Sequence, residues 1–199
     1  MKIYLIRHCE SEDDIINCYG GCADFDLTEF GIETAKNVAK GLMGLDIQKV
    51  FTSPYKRAKS TAKIISDKLK CELEIVNDIR EHNVHGVMSG VNKELAKEIF
   101  SYWLDQDKYK DYHKRGQCFY GGEEEVDLIA RVKTAFKYLT GQNLNTIVVV
   151  SHGGVIRRIW KHLLNKSEKI TDIDDGAIIE IDFVDGKYIL LKTKGVKHD

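Results

Sequence analysis

Apolar residues along this chain fall into two alternating patterns. Short runs at 3–6, 49–52, 73–76 and 146–150 are compact and rich in branched side chains, and they read as strands. Thr146-Ile147-Val148-Val149-Val150 shows no alternation, so it predicts a central strand buried on both faces. Between these runs, apolar residues recur every three or four positions. Ile32, Ala35, Ala39 and Leu42 predict a helix over 28–42. Ser53-Pro54 reads as an N-cap followed by proline at the first helical position, and Ala58, Thr61, Ala62, Ile65 and Leu69 form the inward stripe after it. Further helices are expected over 92–104, over 123–139 with Ile129, Val132, Phe136 and Leu139 on one face, and from Gly153 to Leu164. Two last strands, 177–184 and 187–193, flank Asp185-Gly186, a two-residue hairpin turn that makes them antiparallel. This alternation of strand and helix is the signature of an α/β fold. With no linker, repeat or low-complexity tract, 1–199 reads as a single domain.

Charge narrows the function classes. Thirty lysines and arginines against 31 acidic residues leave a formal net charge of −1. That balance gives no bulk attraction to nucleic acid or to an anionic membrane, so any anion site must be local. No apolar run is long enough to span a bilayer. The opening residues are too short and too charged for a signal sequence, which points to the cytoplasm and to reduced thiols for the five cysteines. Cys18 and Cys22 lack a second ligand pair of suitable spacing and read as small loop side chains.

Polar residues gather where strands end. Arg7-His8 follows the first strand, and Ser53 with Arg57 follows the second. Ser151-His152-Gly153-Gly154 follows the valine-rich strand and opens a helix. In a parallel sheet these positions share the C-terminal edge, where open α/β sheets bind ligands. Two arginines, two histidines and two helix N-termini would then meet. Guanidinium forks match phosphate oxygens, helix N-termini offer unpaired N–H groups, and glycines admit close backbone approach. The set predicts a compact oxyanion, phosphate above all.

These residues also carry a family resemblance. Leu5-Ile6-Arg7-His8-Cys9-Glu10 resembles the motif LIRHGE, and Gly21 to Gly31 resembles GxxDxPLTxxG. Ser53-Pro54-Tyr55-Lys56-Arg57-Ala58 with Thr61-Ala62 resembles SPxxRAxxTA, Gly121-Gly122-Glu123-Glu124 resembles GGES, and Val150 to Gly154 resembles VSHGG. Five motifs in family order are similar to the histidine phosphatase superfamily, the phosphoglycerate-mutase-like proteins. The resemblance implies a three-layer α/β/α sandwich whose central sheet is mostly parallel and ends in an antiparallel hairpin. It implies no metal and no cofactor. His8 would attack phosphorus and become phosphohistidine, with Arg7, Arg57, His152 and the Gly153 amide around the phosphoryl oxygens. A carboxylate between the second and last motifs would protonate the leaving oxygen. Glu81 is the candidate, with Glu10 and Glu12 as competitors.

Three positions depart from the family pattern. Cys9 replaces glycine beside the nucleophile, and nearby cations would make it an oxidation-sensitive thiol. Asp14 replaces asparagine, where a carboxylate would repel phosphate. Glu124 replaces serine, which suits a cationic or polyol substrate better than a doubly anionic one. His82 and His85, three apart, read as surface histidines of a mobile lid or, less simply, as metal ligands. The basic stretch from Lys108 to Arg115 reads as a solvated loop or an anion-reading cap.

The expected activity is hydrolysis of a phosphate monoester of a small metabolite. A phosphoglycerate-type mutase, which must hold a bisphosphate, and a non-catalytic phospho-ligand-binding module are the alternatives. The expected partner is a small phosphorylated metabolite, not nucleic acid or membrane. The leaving group and the oligomeric state carry no signal in the sequence.

Overall fold

The computed structural model describes residues 1–101 and 118–199. Six strands form one sheet. They are β1 (Lys2–Arg7), β2 (Lys49–Thr52), β3 (Glu72–Ile75), β4 (Thr146–Ser151), β5 (Ile170–Val184) and β6 (Lys187–His198), in the order β3-β2-β4-β1-β5-β6. The first four are parallel, with β1 and β2 flanking β4. β5 runs antiparallel to β1, and β6 antiparallel to β5. Helices α1 (Glu12–Ile15), α2 (Glu29–Gly41), α3 (Lys56–Leu69), α4 (Lys93–Ile99), α5 (Glu125–Thr140) and α6 (Gly153–His162) complete the described elements, with 3-10 turns at Asn77–Ile79 and Gly86–Met88. Among the described residues, no helix is long and apolar enough to cross a membrane.

Period-two alternation of side chains sorts each central strand onto two cores. Ile3, Leu5, Ile147, Val149 and Phe51 face one side, where α5 contributes Leu128, Val132 and Phe136 and α6 contributes Val155, Ile156 and Ile159. Tyr4, Ile6, Val148, Val150 and Val50 face the other, against Ala39 and Leu42 from the α2 side and Ala58, Ala62 and Ile65 of α3. The result is an α/β/α sandwich. β4 is buried along its whole length, as its unbroken apolar run predicts.

Several local expectations change. Ile32 is exposed and Leu128 replaces Ile129 on the inward face of α5, because sheet contacts rather than the ideal stripe set each helix's rotation. The N-cap of α3 is Tyr55, not Ser53. Ser53 Oγ accepts from Tyr55 N–H at 3.3 Å but is also engaged elsewhere, and Asp24 Oδ1 accepts from Lys56 N–H at 2.6 Å. The capping carboxylate thus comes from a distant loop. α4 ends at Ile99, short of Leu104, which lies outside the described residues, as does the stretch from Lys108 to Arg115. Asp185 and Gly186 both take positive φ (50° and 76°), the geometry of the expected hairpin turn. β5 begins earlier than expected and breaks register between Ile173 and Ile178, a bulge that bears on the site.

Candidate active site

β1, β2 and β4 are parallel neighbours, so their C-terminal ends lie together. His8 N–H donates to Ser151 O at 2.9 Å, and Ser53 N–H donates to Val150 O at 3.1 Å. This ladder continues each strand just far enough to set His8, Ser53 and His152 side by side. The His8 and His152 rings are 5.0 Å apart at 60°. Arg57, in the first turn of α3, donates from Nε to His8 Nε2 at 3.2 Å. Its Nη1 and Nη2 donate to Ala23 O (2.6 Å) and Gly21 O (3.0 Å), so the loop before α2 wraps the guanidinium and fixes its plane. Arg57 is among the largest fully buried side chains of the molecule.

The surroundings of His8 distinguish its two ring nitrogens. Nδ1 lies 2.8 Å from Cys9 O, which can only accept, so Nδ1 carries the proton. Nε2 then holds the lone pair. Burial first, then the charges of Arg57 and Arg7, hold the His8 pKa well below its ordinary range. Burial likewise depresses His152, aided by His8 and both arginines. Both rings are therefore neutral at pH 7. His152 Nε2 is 2.7 Å from Ser53 Oγ, whereas its buried Nδ1 has no hydrogen-bond partner among the described residues. Arg7 Nε is also buried and unpartnered among the described residues. Arg7 is anchored by its other nitrogens, Nη1 donating to Ile173 O and Nη2 pairing with Asp175 at 3.1 Å.

Gly153 opens α6, and a β-carbon there would lie 3.2 Å from Arg157 Nη1 and 3.9 Å from Arg7 Nε. Gly154 N–H donates to Glu81 Oε2 at 3.1 Å, and His82 N–H donates to Oε1 at 2.7 Å. Glu81 therefore sits at the N-terminus of α6. Its loop is held by Arg131 of α5, which donates to the carbonyls of Asp78, Arg80 and Glu81 and pairs bidentately with Glu123 (2.6 and 2.7 Å). The competing carboxylates are engaged elsewhere. Glu10 accepts from Thr28 Oγ1 at 2.6 Å, and Glu12 accepts weakly from Asp26 N–H at 3.4 Å.

Of the two helix N-termini expected to present amides, α3 does not. Lys56 N–H and Arg57 N–H are taken by Asp24 and by Phe25 O, so this helix brings the Arg57 side chain instead. Cys9 is fully buried, and burial pushes its thiol up to about 12 despite the Thr61 hydrogen bond and Arg7. That argues against a reactive thiol, because lost solvation outweighs the nearby cations. Its φ is not positive, so no strain attends the replacement of glycine. Asp14 Oδ2 accepts from Ser11 N–H at 3.0 Å, closing a capping box on α1. Exposed Glu124 precedes α5 and accepts from Cys118 Sγ at 3.5 Å. His82 is buried with a ring nitrogen 2.8 Å from Glu123 O, so it is not a surface histidine, whereas His85 is half-buried with its ring packed on Tyr19. Among the described residues, no group of three or more histidine, cysteine or acidic side chains is placed to hold a metal. Asp175 and Arg157 are site neighbours that sequence patterns miss, since neither lies in a motif or directly after a parallel strand.

An α/β sheet whose C-terminal edge gathers two neutral imidazoles between two guanidiniums defines a phosphate-handling class of protein. Residues 3–194 match the model of the histidine phosphatase superfamily, branch 1, and the chain belongs to that superfamily. It is 33% identical over 170 residues to a phosphoserine phosphatase 1 of Hydrogenobacter thermophilus, covering 82% of this chain and 76% of the relative. It is 29% identical to a 2,3-bisphosphoglycerate-dependent phosphoglycerate mutase of Dichelobacter nodosus, covering 87% and 82%. The crystal structure of an alpha-ribazole phosphatase from Shigella flexneri superposes with a TM-score of 0.82 at 23% identity, covering 97% of this chain and 96% of that one.

Proposed function

We propose that residues 1–199 form one catalytic domain, a metal-independent phosphatase that hydrolyses the phosphate monoester of a small metabolite through a phosphohistidine on His8. The observation that carries this reading is the pairing at its centre. A neutral imidazole presents the Nε2 lone pair, and two buried donors beside it, Arg7 Nε and His152 Nδ1, have no partner among the described residues. Phosphoryl transfer asks for a positioned nucleophile and for donors to the equatorial oxygens, and little else from the protein.

His8 Nε2 attacks phosphorus as the bond to the ester oxygen breaks. Arg57 Nε–H, now 3.2 Å from Nε2, transfers its hydrogen bond to a phosphoryl oxygen as the N–P bond forms. Arg7 Nε–H and the Gly153 amide bind the remaining oxygens. His152 Nε2 shares a hydrogen bond with Ser53 Oγ, and with the hydroxyl as donor the proton stays on Nδ1 to bind phosphate. Glu81, as its carboxylic acid, protonates the leaving oxygen. As the carboxylate, it then takes a proton from water, whose oxygen attacks phosphorus and releases phosphate and neutral His8.

Phosphate release from an aryl phosphate in excess chelator tests this. Wild type should stay active, and His8→Ala should lose roughly a thousandfold or more, as expected when a covalent nucleophile is removed. Activity retained by His8→Ala would falsify the phosphohistidine route. The mutase among the relatives favours a second reading, phosphoglycerate isomerisation. Monophosphoglycerate with a bisphosphate primer separates the two, since a mutase yields isomer and a phosphatase yields free phosphate.

A further inference from the structure

The bulge in β5 is built against the dipeptide Arg7-His8. β5 pairs regularly with β1 from Ile178 to Asp182, but its pairing with β6 breaks between Ile173 and Ile178. Residues 174–177 therefore leave the ladder, and a bulge of this kind re-aims the groups it carries. Three contacts result. Ile173 O accepts from Arg7 Nη1, the Asp175 carboxylate lies 3.1 Å from Arg7 Nη2, and Gly176 N–H donates to His8 O at 3.4 Å. Gly176 takes φ +71°, and a β-carbon there would lie 3.0 Å from Val38 and 3.4 Å from Cys9 Sγ. The turn can thus come this close only at glycine.

We propose that Asp175, presented by this bulge, is a positioning residue that aims Arg7 at the transferring phosphoryl group. The Ile173 carbonyl accepts from Nη1, and the Asp175 carboxylate makes an ion pair with Nη2 although its Oδ1 accepts no hydrogen bond among the described residues. These two contacts restrain the fork, and the buried Nε–H is the donor left without a partner among the described residues. An arginine of this reach otherwise samples many rotamers, and fixing it beforehand removes that ordering cost from the transition state. Asp175 also withdraws part of the positive charge that Arg7 would add beside His8. It acts through Arg7.

This role rests on the proposed function, and a double-mutant cycle tests it with two readouts. Wild type, Asp175→Asn, Arg7→Ala and the double variant are compared for aryl phosphate hydrolysis and for binding of inorganic phosphate by calorimetry. Asp175→Asn should lower kcat by roughly 10-fold to 100-fold, the cost of a misplaced group, with a smaller change in KM. The same substitution on the Arg7→Ala background should change kcat less than twofold, because the partner it aims is gone. Asp175→Glu should recover part of the loss. Additive losses, or an Asp175→Asn variant of wild-type kcat, overturn the positioning role while leaving the phosphatase reading intact. Wild type that neither hydrolyses the ester nor binds phosphate overturns the phosphatase reading, and this role with it.

Discussion

His8 is defined by what each of its nitrogens touches. The Cys9 carbonyl takes the Nδ1 proton, and burial beside two guanidiniums keeps the ring neutral. Its pKa lies below the ordinary 6.5. The acid limb of kcat/KM, corrected for ionisation of the ester, should therefore fall below pH 6.5, because that limb reports the free enzyme's nucleophile. A limb centred at 6.5 or above would mean that the charged ring is not disfavoured. The neighbouring Cys9 has the opposite fate from the one its position suggests. With its thiol pushed up to about 12, it holds almost no thiolate at neutral pH. Alkylation of the native protein with iodoacetamide, mapped by mass spectrometry, should label the exposed Cys22 and leave Cys9 unmodified. Labelling of Cys9 in the folded protein would restore the oxidation-sensitive reading.

At the scale of elements, the N-terminus of α6 does two jobs. Its first residue lies beside Arg7, and its second amide seats Glu81. The geometry depends on a missing side chain, because a β-carbon on Gly154 would clash with Glu81 Oε1. Gly154→Ala should push Glu81 aside and lower kcat/KM at least about 10-fold, as small misplacements of a reacting group do. Stability should fall by about 1–3 kcal/mol, since the Glu81 carboxylate can swing away but the Cβ of buried His82, 3.3 Å from the added carbon, must also give. Unchanged kcat/KM would show that Glu81 has no part in the rate. α3 shows how the motif residues divide their labour. Ser53 reads as a helix cap by local rules but serves His152, while Asp24 caps the helix from the loop before α2.

The whole molecule carries a cost for this site. The sandwich buries two imidazoles at the sheet edge, and burial is the leading cause of their depressed pKa values. Unfolded, both rings titrate near their ordinary 6.5, so below that pH the unfolded chain binds protons that the folded chain does not. Their contribution to stability is complete above about pH 6.5 and is lost as pH falls toward the folded values. Urea unfolding should give a lower free energy at pH 5.5 than at 7.5. A variant with both His8 and His152 replaced by asparagine should show a clearly smaller difference. Equal pH dependence in the two proteins would place the effect in other groups.

Hydrophobic period is a local property averaged over many residues, and it was enough for the α/β class, the two-faced sheet and the antiparallel hairpin. The rule that parallel strands share an edge was enough to bring Arg7, His8, Arg57 and His152 to one place, because each follows a strand or opens a helix. Other features depend on single atoms across long separations. His152 meets Ser53 across 99 positions, and Arg7 meets Ile173 across 166. Periodicity carries no record of such contacts. The proton-bearing nitrogen of His8, the burial of Cys9, the seat of Glu81 and the reach of Asp175 follow from burial and hydrogen-bond geometry. Those exist only once the sheet has closed its two cores and the β5 bulge has turned toward β1.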